Sequence, residues 1–127
     1  MSTHLGQSLA GLDTPAVLVD LDVLERNVAR MADFAAEQGI ALRPHAKSHK
    51  TLGIAERQRA AGSRGFTVAK LDEAEAYLTA GFDDLLIANE IVGMDKWLRL
   101  AAMQRRGSVA SGIDNLQAAE GMAEVAR

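Results

Sequence analysis

Five short apolar segments alternate with five amphipathic stretches along this chain, and that alternation constrains its fold more than any other feature. A short apolar run bounded by turn residues is typical of a buried strand, whereas a period near 3.6 residues is typical of a helix. Strands that alternate with helices pair in parallel through right-handed crossovers, so we expect an α/β fold. The predicted strands are 16–20, 40–45, 65–69, 84–88 and 108–113, and the predicted helices are 22–38, 51–61, 72–80, 94–106 and 115–127.

Glycines and acidic residues mark the ends of the predicted helices. At the start of the first helix, Asp22 and Glu25 have the three-residue spacing of a capping box. A glycine after a helix readily takes the left-handed conformation that reverses the chain. Four helices are predicted to stop at such a glycine, namely Gly39, Gly62, Gly81 and Gly107.

Two architectures fit five strand–helix units, an open doubly wound sheet and part of a (β/α)8 barrel. The predicted strands begin roughly 20 to 26 residues apart, which suits barrel units, and eight such units need on the order of 200 residues or more. At 127 residues the chain supplies about five units, and a five-stranded piece of a barrel leaves two sheet edges open. We therefore expect the N-terminal part of a TIM-type barrel within a longer protein, preceded by an extension over residues 1–12.

Composition excludes several classes of function. The formal net charge is −3 and the chain contains no cysteine, so disulfides, thiol nucleophiles and thiolate metal sites are excluded and nucleic-acid binding is not expected. Residues 1–6 lack the basic flank and apolar core of a signal peptide, and no apolar run approaches the roughly 20 residues needed to span a bilayer. We expect a cytoplasmic protein that does not bind membranes.

A basic segment follows the second predicted strand, and it is the strongest candidate for a site. If the chain is extended there, Arg43, His45, Lys47 and His49 fall on one face, with Lys47 between two imidazoles. A lysine held among other cations has its charged form disfavoured, which is what an amine needs to attack a carbonyl. The same cluster would attract a phosphorylated, aldehyde-bearing cofactor. We therefore predict Lys47 as the catalytic lysine and Lys47, His45 and Arg43 as cofactor-binding residues.

Other interpretations of this segment remain open. A basic run is commonly a solvated loop, and the two histidines could form a metal pair, although Pro44 argues against the helix that the usual His-x-x-x-His spacing requires. In either architecture ligands sit at the carboxyl ends of the strands, where Lys47 lies. Asn89 and Glu90 also follow a strand there, as residues that line the mouth or as a simple turn.

Four segments of the chain, in order, resemble the D-threonine aldolase and eukaryotic-type D-serine dehydratase family. Residues 43–51, RPHAKSHKT, resemble the family's cofactor-lysine motif. Residues 13–22, DTPAVLVDLD, look like its opening strand and helix start. Residues 67–75, TVAKLDEAE, and 83–90, DDLLIANE, look like its next two barrel segments. Members of this family are fold-type III pyridoxal-phosphate enzymes, related more distantly to alanine racemase.

The resemblance implies a fold, a cofactor and a quaternary structure. It makes residues 13–127 part of an alanine racemase-like barrel that a C-terminal β-domain, missing here, completes, usually in a homodimer. Lys47 is then the Schiff-base lysine that binds pyridoxal phosphate. A divalent metal (Mn, Mg or Zn) is expected as well, with its ligands outside this chain, so neither His45 nor His49 is assigned to a metal.

The activity that the resemblance implies is that of a lyase acting on D-3-hydroxy amino acids. D-Threonine aldolase-type cleavage to glycine and an aldehyde is preferred, and D-serine dehydratase-type deamination is the alternative because both begin from the same lysine. Two further hypotheses for the function stay open. One is a non-catalytic pyridoxal-phosphate-binding barrel, and the other is an α/β domain that binds an anion non-covalently through residues 43–50.

Overall fold

The computed structural model describes residue 6 and residues 8–126, which form five α-helices and a three-stranded sheet. The helices are α1 (Leu21–Glu37), α2 (Leu52–Ala60), α3 (Leu71–Thr79), α4 (Met94–Met103) and α5 (Leu116–Val125), and the strands are β1 (Phe66–Val68), β2 (Asp84–Glu90) and β3 (Ser108–Gly112). Short 3-10 turns cover Leu9–Gly11 and Ala46–Ser48. Within this part of the chain, no helix combines the length and apolar character that crossing a membrane requires.

The sheet is parallel throughout, with strand order β1-β2-β3. Thr67 lies beside Leu86, and Leu86 beside Ala110, so these residues form one row across the sheet. A single parallel bridge joins His45 to Thr67 and continues that row towards residues 40–45. Parallel pairing through helical crossovers confirms the α/β fold predicted from the alternation.

One face of the sheet carries the core. Phe66, Val68, Leu85 and Ile87 are fully buried there against the helices, and each contributes on the order of 1.5–3 kcal/mol through burial. Tyr77 of α3 and Phe82 pack on Phe66, with ring centroids 5.6 and 5.1 Å from that of Phe66. Because side chains alternate along a strand, the row of Thr67, Leu86 and Ala110 lies on the opposite face, which we call the uncovered face.

Three of the five predicted strands are confirmed and two are corrected. Residues 16–20 form no strand, and Val17 is 96% exposed, because no neighbouring strand in the described part of the chain hydrogen-bonds to them. Residues 40–45 make isolated contacts: Arg64 N donates to Leu42 O at 3.0 Å and Thr67 N to Pro44 O at 2.8 Å. Pro44 has no N–H to donate, which removes one link of a regular ladder.

The helix ends follow the sequence signals closely. Gly39, Gly62 and Gly81 have φ of 64°, 100° and 83°, the left-handed conformation that was predicted. Gly107 serves differently, since a Cβ there would lie 2.6 Å from the Asp83 carbonyl oxygen. The sequence indicates Asp20 and Asp22 as candidate caps of α1, and Asp20 is confirmed, since its side chain accepts a hydrogen bond from Val23 N at 3.0 Å. The capping-box position predicted at Asp22 is wrong.

Candidate functional site

The basic segment 43–50 runs alongside β1. The strand register aligns its first residues with successive rows of residues on the uncovered face of the sheet. His45 bridges to Thr67 in the middle row. Two residues earlier, Arg43 lies at the amino end of the sheet, beside Asp84, the first residue of β2. Two residues later, Lys47 follows towards the carboxyl edge, where parallel strands place their ligand sites.

Arg43 is committed to an ion pair at the amino end of the sheet. Its Nη1 lies 2.6 Å from Asp84 Oδ1, and its Nη2 donates to Asp84 Oδ2 at 2.8 Å. Arg64 Nε is 3.7 Å from the same carboxylate. A bidentate pair of this kind fixes the guanidinium plane. The structure therefore does not bring Arg43 together with Lys47, and cofactor binding by Arg43 stays a prediction.

His45 precedes the lysine and holds the start of its turn. Its Nδ1 accepts a hydrogen bond from Lys47 N at 3.4 Å, so His45 caps the 3-10 turn Ala46–Ser48. An imidazole nitrogen that accepts an N–H carries no proton of its own, so in the neutral ring Nε2 bears the hydrogen. The backbone of Lys47 and the side chain of His45 are therefore brought together.

Lys47 itself lies in the middle of that turn. The predicted extended conformation through residues 43–49 is wrong, because the chain coils over Ala46–Ser48, and strict alternation of side chains ends at His45. The Lys47 side chain is exposed, and among the described residues it forms no ion pair. Lys50, by contrast, lies 3.2 Å from Glu73 Oε1. Of the two lysines in the segment, Lys47 is the one whose amine has no carboxylate partner in that part of the chain.

The turn closes at Lys50, which has a left-handed backbone with φ of 48°. For a residue with a Cβ this conformation costs on the order of 1–2 kcal/mol. The backbone hydrogen bond from Lys50 N to Ala46 O, 2.8 Å long, accompanies it. Local strain of this kind persists only where the surroundings fix the conformation, and it is common beside functional groups.

Glu73 of α3 helps to hold the backbone conformation of Lys50. Its Oε2 accepts a hydrogen bond from Ala69 N at 2.7 Å, while its Oε1 faces Lys50. Burial acts to raise the pKa of Glu73, but the Ala69 N–H and the Lys50 ammonium outweigh it and the pKa is lowered. Sequence reasoning missed Glu73, although its segment 67–75 was one of those that carried the resemblance.

His49 attaches the same turn to α2. Its Nδ1 accepts a hydrogen bond from Thr51 N at 3.1 Å, which leaves the proton of the neutral ring on Nε2. His49 Nε2 and Gln58 Oε1 are both buried, and neither has a partner within hydrogen-bond geometry among the described residues. Burial lowers the pKa of His49, against the opposing influence of Gln58 and the Thr51 backbone. The influence of Gln58 on His49 could not be predicted from spacing.

The carboxyl edge of the sheet also carries a small cavity of about 180 Å³. Asn89 Nδ2 donates to Ala69 O at 2.6 Å and ties the ends of β1 and β2 together. Asn89, Glu90, Lys70 and Lys96 are among the residues that line the cavity. This cavity lies between the strand ends and helices α3 and α4, so the placement of Asn89 and Glu90 at the barrel mouth stays a prediction.

Metal-binding side chains do not converge in the described part of the chain. No group of three or more histidines and carboxylates there has the spacing to hold a metal ion. The Nδ1 atoms of His45 and His49 each accept a separate backbone N–H, from Lys47 and Thr51.

Fold and site together define the class of protein. The sequence model of the alanine racemase N-terminal domain matches residues 19–127, and the chain belongs to that family. The predicted resemblance to D-threonine aldolase and D-serine dehydratase is confirmed. The chain is similar to D-threonine aldolase of Arthrobacter sp., with 41% identity over 110 residues, which cover 87% of this chain and 29% of the relative.

Two further comparisons extend this similarity to another activity and to a solved structure. D-threo-3-hydroxyaspartate dehydratase of Delftia sp. (strain HT23) is 40% identical over 121 residues, covering 94% of this chain and 32% of the relative. The crystal structure of D-threonine aldolase from Filomicrobium marinum superposes with a TM-score of 0.89 at 43% identity, covering 92% of this chain and 32% of that one. The chain thus spans about a third of the length of these relatives.

Proposed function

We propose that this chain is the cofactor-lysine part of a pyridoxal-phosphate-dependent lyase that acts on D-3-hydroxy amino acids. The observation that carries the proposal is the joint similarity in sequence and fold to D-threonine aldolases, at 41% identity and a TM-score of 0.89. The position of Lys47 at the carboxyl edge of a parallel sheet supports it independently. The proposal extends to a homodimer in which residues 13–127 form the barrel portion and residues 1–12 an extension.

The residues at this edge fit a flat, phosphorylated aldehyde. Small residues stand at the carboxyl ends of β1 and β2, since Ala69 and Ala88 lie two positions beyond the paired residues Thr67 and Leu86. Small side chains leave room for a planar group beside the amine. Lys47 is exposed and has no carboxylate partner among the described residues, so its nitrogen is accessible to an aldehyde.

Each residue of the segment has a distinct part in the proposed mechanism. Lys47 Nζ would hold the cofactor through its aldehyde, and the same amine would hold a proton near the substrate Cα. His45 orients the Lys47 backbone through Nδ1 and presents Nε2–H for hydrogen bonding. When bound, the cofactor supplies an electron sink at Cα. Arg43 enters as the residue whose ion pair with Asp84 fixes the amino end of the same face.

Covalent trapping tests the lysine assignment. The chain is incubated with pyridoxal phosphate, reduced with borohydride and digested, and the modified peptides are mapped among its four lysines, Lys47, Lys50, Lys70 and Lys96. We expect one main adduct at Lys47, its loss in Lys47→Ala and its retention in the control Lys70→Ala, with circular dichroism to verify folding. Adducts spread evenly over several lysines, or an unchanged adduct yield in Lys47→Ala, would contradict the assignment.

Product analysis separates the two reactions. D-Threonine is supplied, with and without Mn²⁺, Mg²⁺ or Zn²⁺, to the longest natural polypeptide that contains these residues. Glycine and acetaldehyde identify the aldolase that we propose, whereas 2-oxobutanoate and ammonia identify the dehydratase. The second candidate is included because the Delftia dehydratase is 40% identical to this chain. Bound cofactor without turnover of any D-3-hydroxy amino acid would indicate a non-catalytic carrier.

A further inference from the structure

We propose that Glu73 is a positioning residue for Lys47, acting through Lys50. The inference rests on the proposed function, because it concerns how the cofactor lysine is held. Glu73 lies on α3, 26 positions beyond Lys47 in the sequence, and its carboxylate connects the turn that carries the lysine to the end of β1.

The carboxylate of Glu73 uses its two oxygens on two different elements. Oε2 accepts the Ala69 N–H at 2.7 Å, at the point where β1 ends. Oε1 lies 3.2 Å from Lys50 Nζ. The Glu73 side chain is 15% exposed and the Lys50 side chain 63% exposed, so the carboxylate is shielded from water while the ammonium is largely solvated. One carboxylate therefore sets the distance between the strand end and the basic turn.

The backbone between Ala46 and Lys50 connects the position of Lys50 to that of Lys47. The Lys50 N–H bonds to Ala46 O at 2.8 Å, which closes the loop of residues that contains Lys47. At φ of 48°, Lys50 is in a conformation that a lysine seldom adopts without restraint. When Lys50 Nζ is released from Glu73, the backbone at Lys50 can relax, and the position of Lys47 changes with it.

The chain offers variants that separate the charge of this pair from its other contacts. Glu73→Gln keeps an oxygen for the Ala69 N–H but removes the charge that attracts Lys50. Lys50→Met removes the ammonium, and Lys50→Arg restores a cation. Asp72→Asn is the matched control, because Asp72 neighbours Glu73 on α3 but pairs with Arg99 of α4 at 2.7 Å.

The test measures how fast pyridoxal phosphate attaches to each lysine, by borohydride quenching at timed intervals and peptide mapping, with circular dichroism on each sample. We expect Glu73→Gln and Lys50→Met to slow attachment at Lys47 on the order of tenfold, with the rate at Lys96 unchanged. Lys50→Arg should recover most of the Lys47 rate, and Asp72→Asn should match the wild type. Recovery by arginine separates positioning from a general loss of structure.

The outcomes distinguish failure of the positioning role from failure of the proposed function. If wild-type Lys47 is labelled but Glu73→Gln and Lys50→Met react at the wild-type rate, the positioning role is refuted and the proposed function stands. If wild-type Lys47 is not labelled in a folded chain, the proposed function fails and the positioning role fails with it. Should Glu73→Gln not fold, the comparison of Lys50→Met with Lys50→Arg decides, and equal rates in those two variants refute the inference.

Discussion

The ion pair between Arg43 and Asp84 gives the sharpest prediction, because sequence and structure assign Arg43 different roles. Arg43→Met keeps the length and the apolar stem of the side chain but removes the guanidinium. We expect it to lower the free energy of unfolding while pyridoxal phosphate attachment at Lys47 proceeds at the wild-type rate. A cofactor ligand would give the opposite pattern.

The magnitude follows from the geometry of the pair. Two contacts of 2.6 and 2.8 Å join the groups, and the side chains of Arg43 and Asp84 are 32% and 23% exposed. Hydrogen bonds to charged groups contribute about 1.5–3 kcal/mol when shielded, and exposed ion pairs about 0–1 kcal/mol. Partial exposure places this pair between those limits, so we expect Arg43→Met to cost about 1–2 kcal/mol. Arg64, 3.7 Å from Asp84, acts to lower that cost.

A double-mutant cycle measures the pair directly. Arg43→Met, Asp84→Asn and the double variant are unfolded in urea and followed by circular dichroism. A coupling energy of about 1 kcal/mol is expected between the two sites, together with a midpoint shift in Arg43→Met of roughly 0.5–1 M urea. The reasoning is refuted if the coupling is below about 0.3 kcal/mol, the usual limit of additivity. It is also refuted if Arg43→Met is as stable as wild type but loses labelling at Lys47.

Three further predictions concern packing and protonation. A Cβ added in Gly121→Ala would press against the Trp97 ring, whereas one added in the control Gly53→Ala meets nothing within 4 Å. Both variants gain similar helix propensity, so we expect Gly121→Ala to be less stable than Gly53→Ala by about 1–3 kcal/mol in urea unfolding. Equal stability of the two variants would contradict the α4–α5 packing. Because burial lowers the pKa of His49 below 6.5, the folded state binds a proton less readily than the unfolded state. Stability should therefore fall as the pH drops through and below about 6.5, more in wild type than in His49→Gln, and parallel pH profiles would exclude this linkage. Tyr77 Oη is buried without a partner among the described residues, so Tyr77→Phe should be neutral or stabilising by up to about 1 kcal/mol in the same unfolding assay, and a clear loss would reveal an unseen hydrogen bond.

The sequence alone determined the elements whose signals are local. Apolar runs that end in turn residues located β1, β2 and β3, and helical periodicity located all five helices to within a few residues. Glycine, which has no Cβ, marked helix ends at Gly39, Gly62 and Gly81. Lys47 was predicted to follow a strand at 40–45, but in the described part of the chain that segment forms only an isolated bridge from His45 to Thr67.

The tertiary structure decided everything that depends on a neighbour distant in sequence. Residues 16–20 have the composition of a strand but form none here, because a strand exists only where another strand accepts its hydrogen bonds. Arg43 was grouped with Lys47 by alternation, but alternation holds only in extended chain, and the turn at Ala46–Ser48 ended it. The contact of Lys50 with Glu73 joins residues 23 positions apart, and only the packing of α3 beside β1 brings them together. Periodicity reports which face a residue occupies, whereas the partner it meets there is set by how the elements pack.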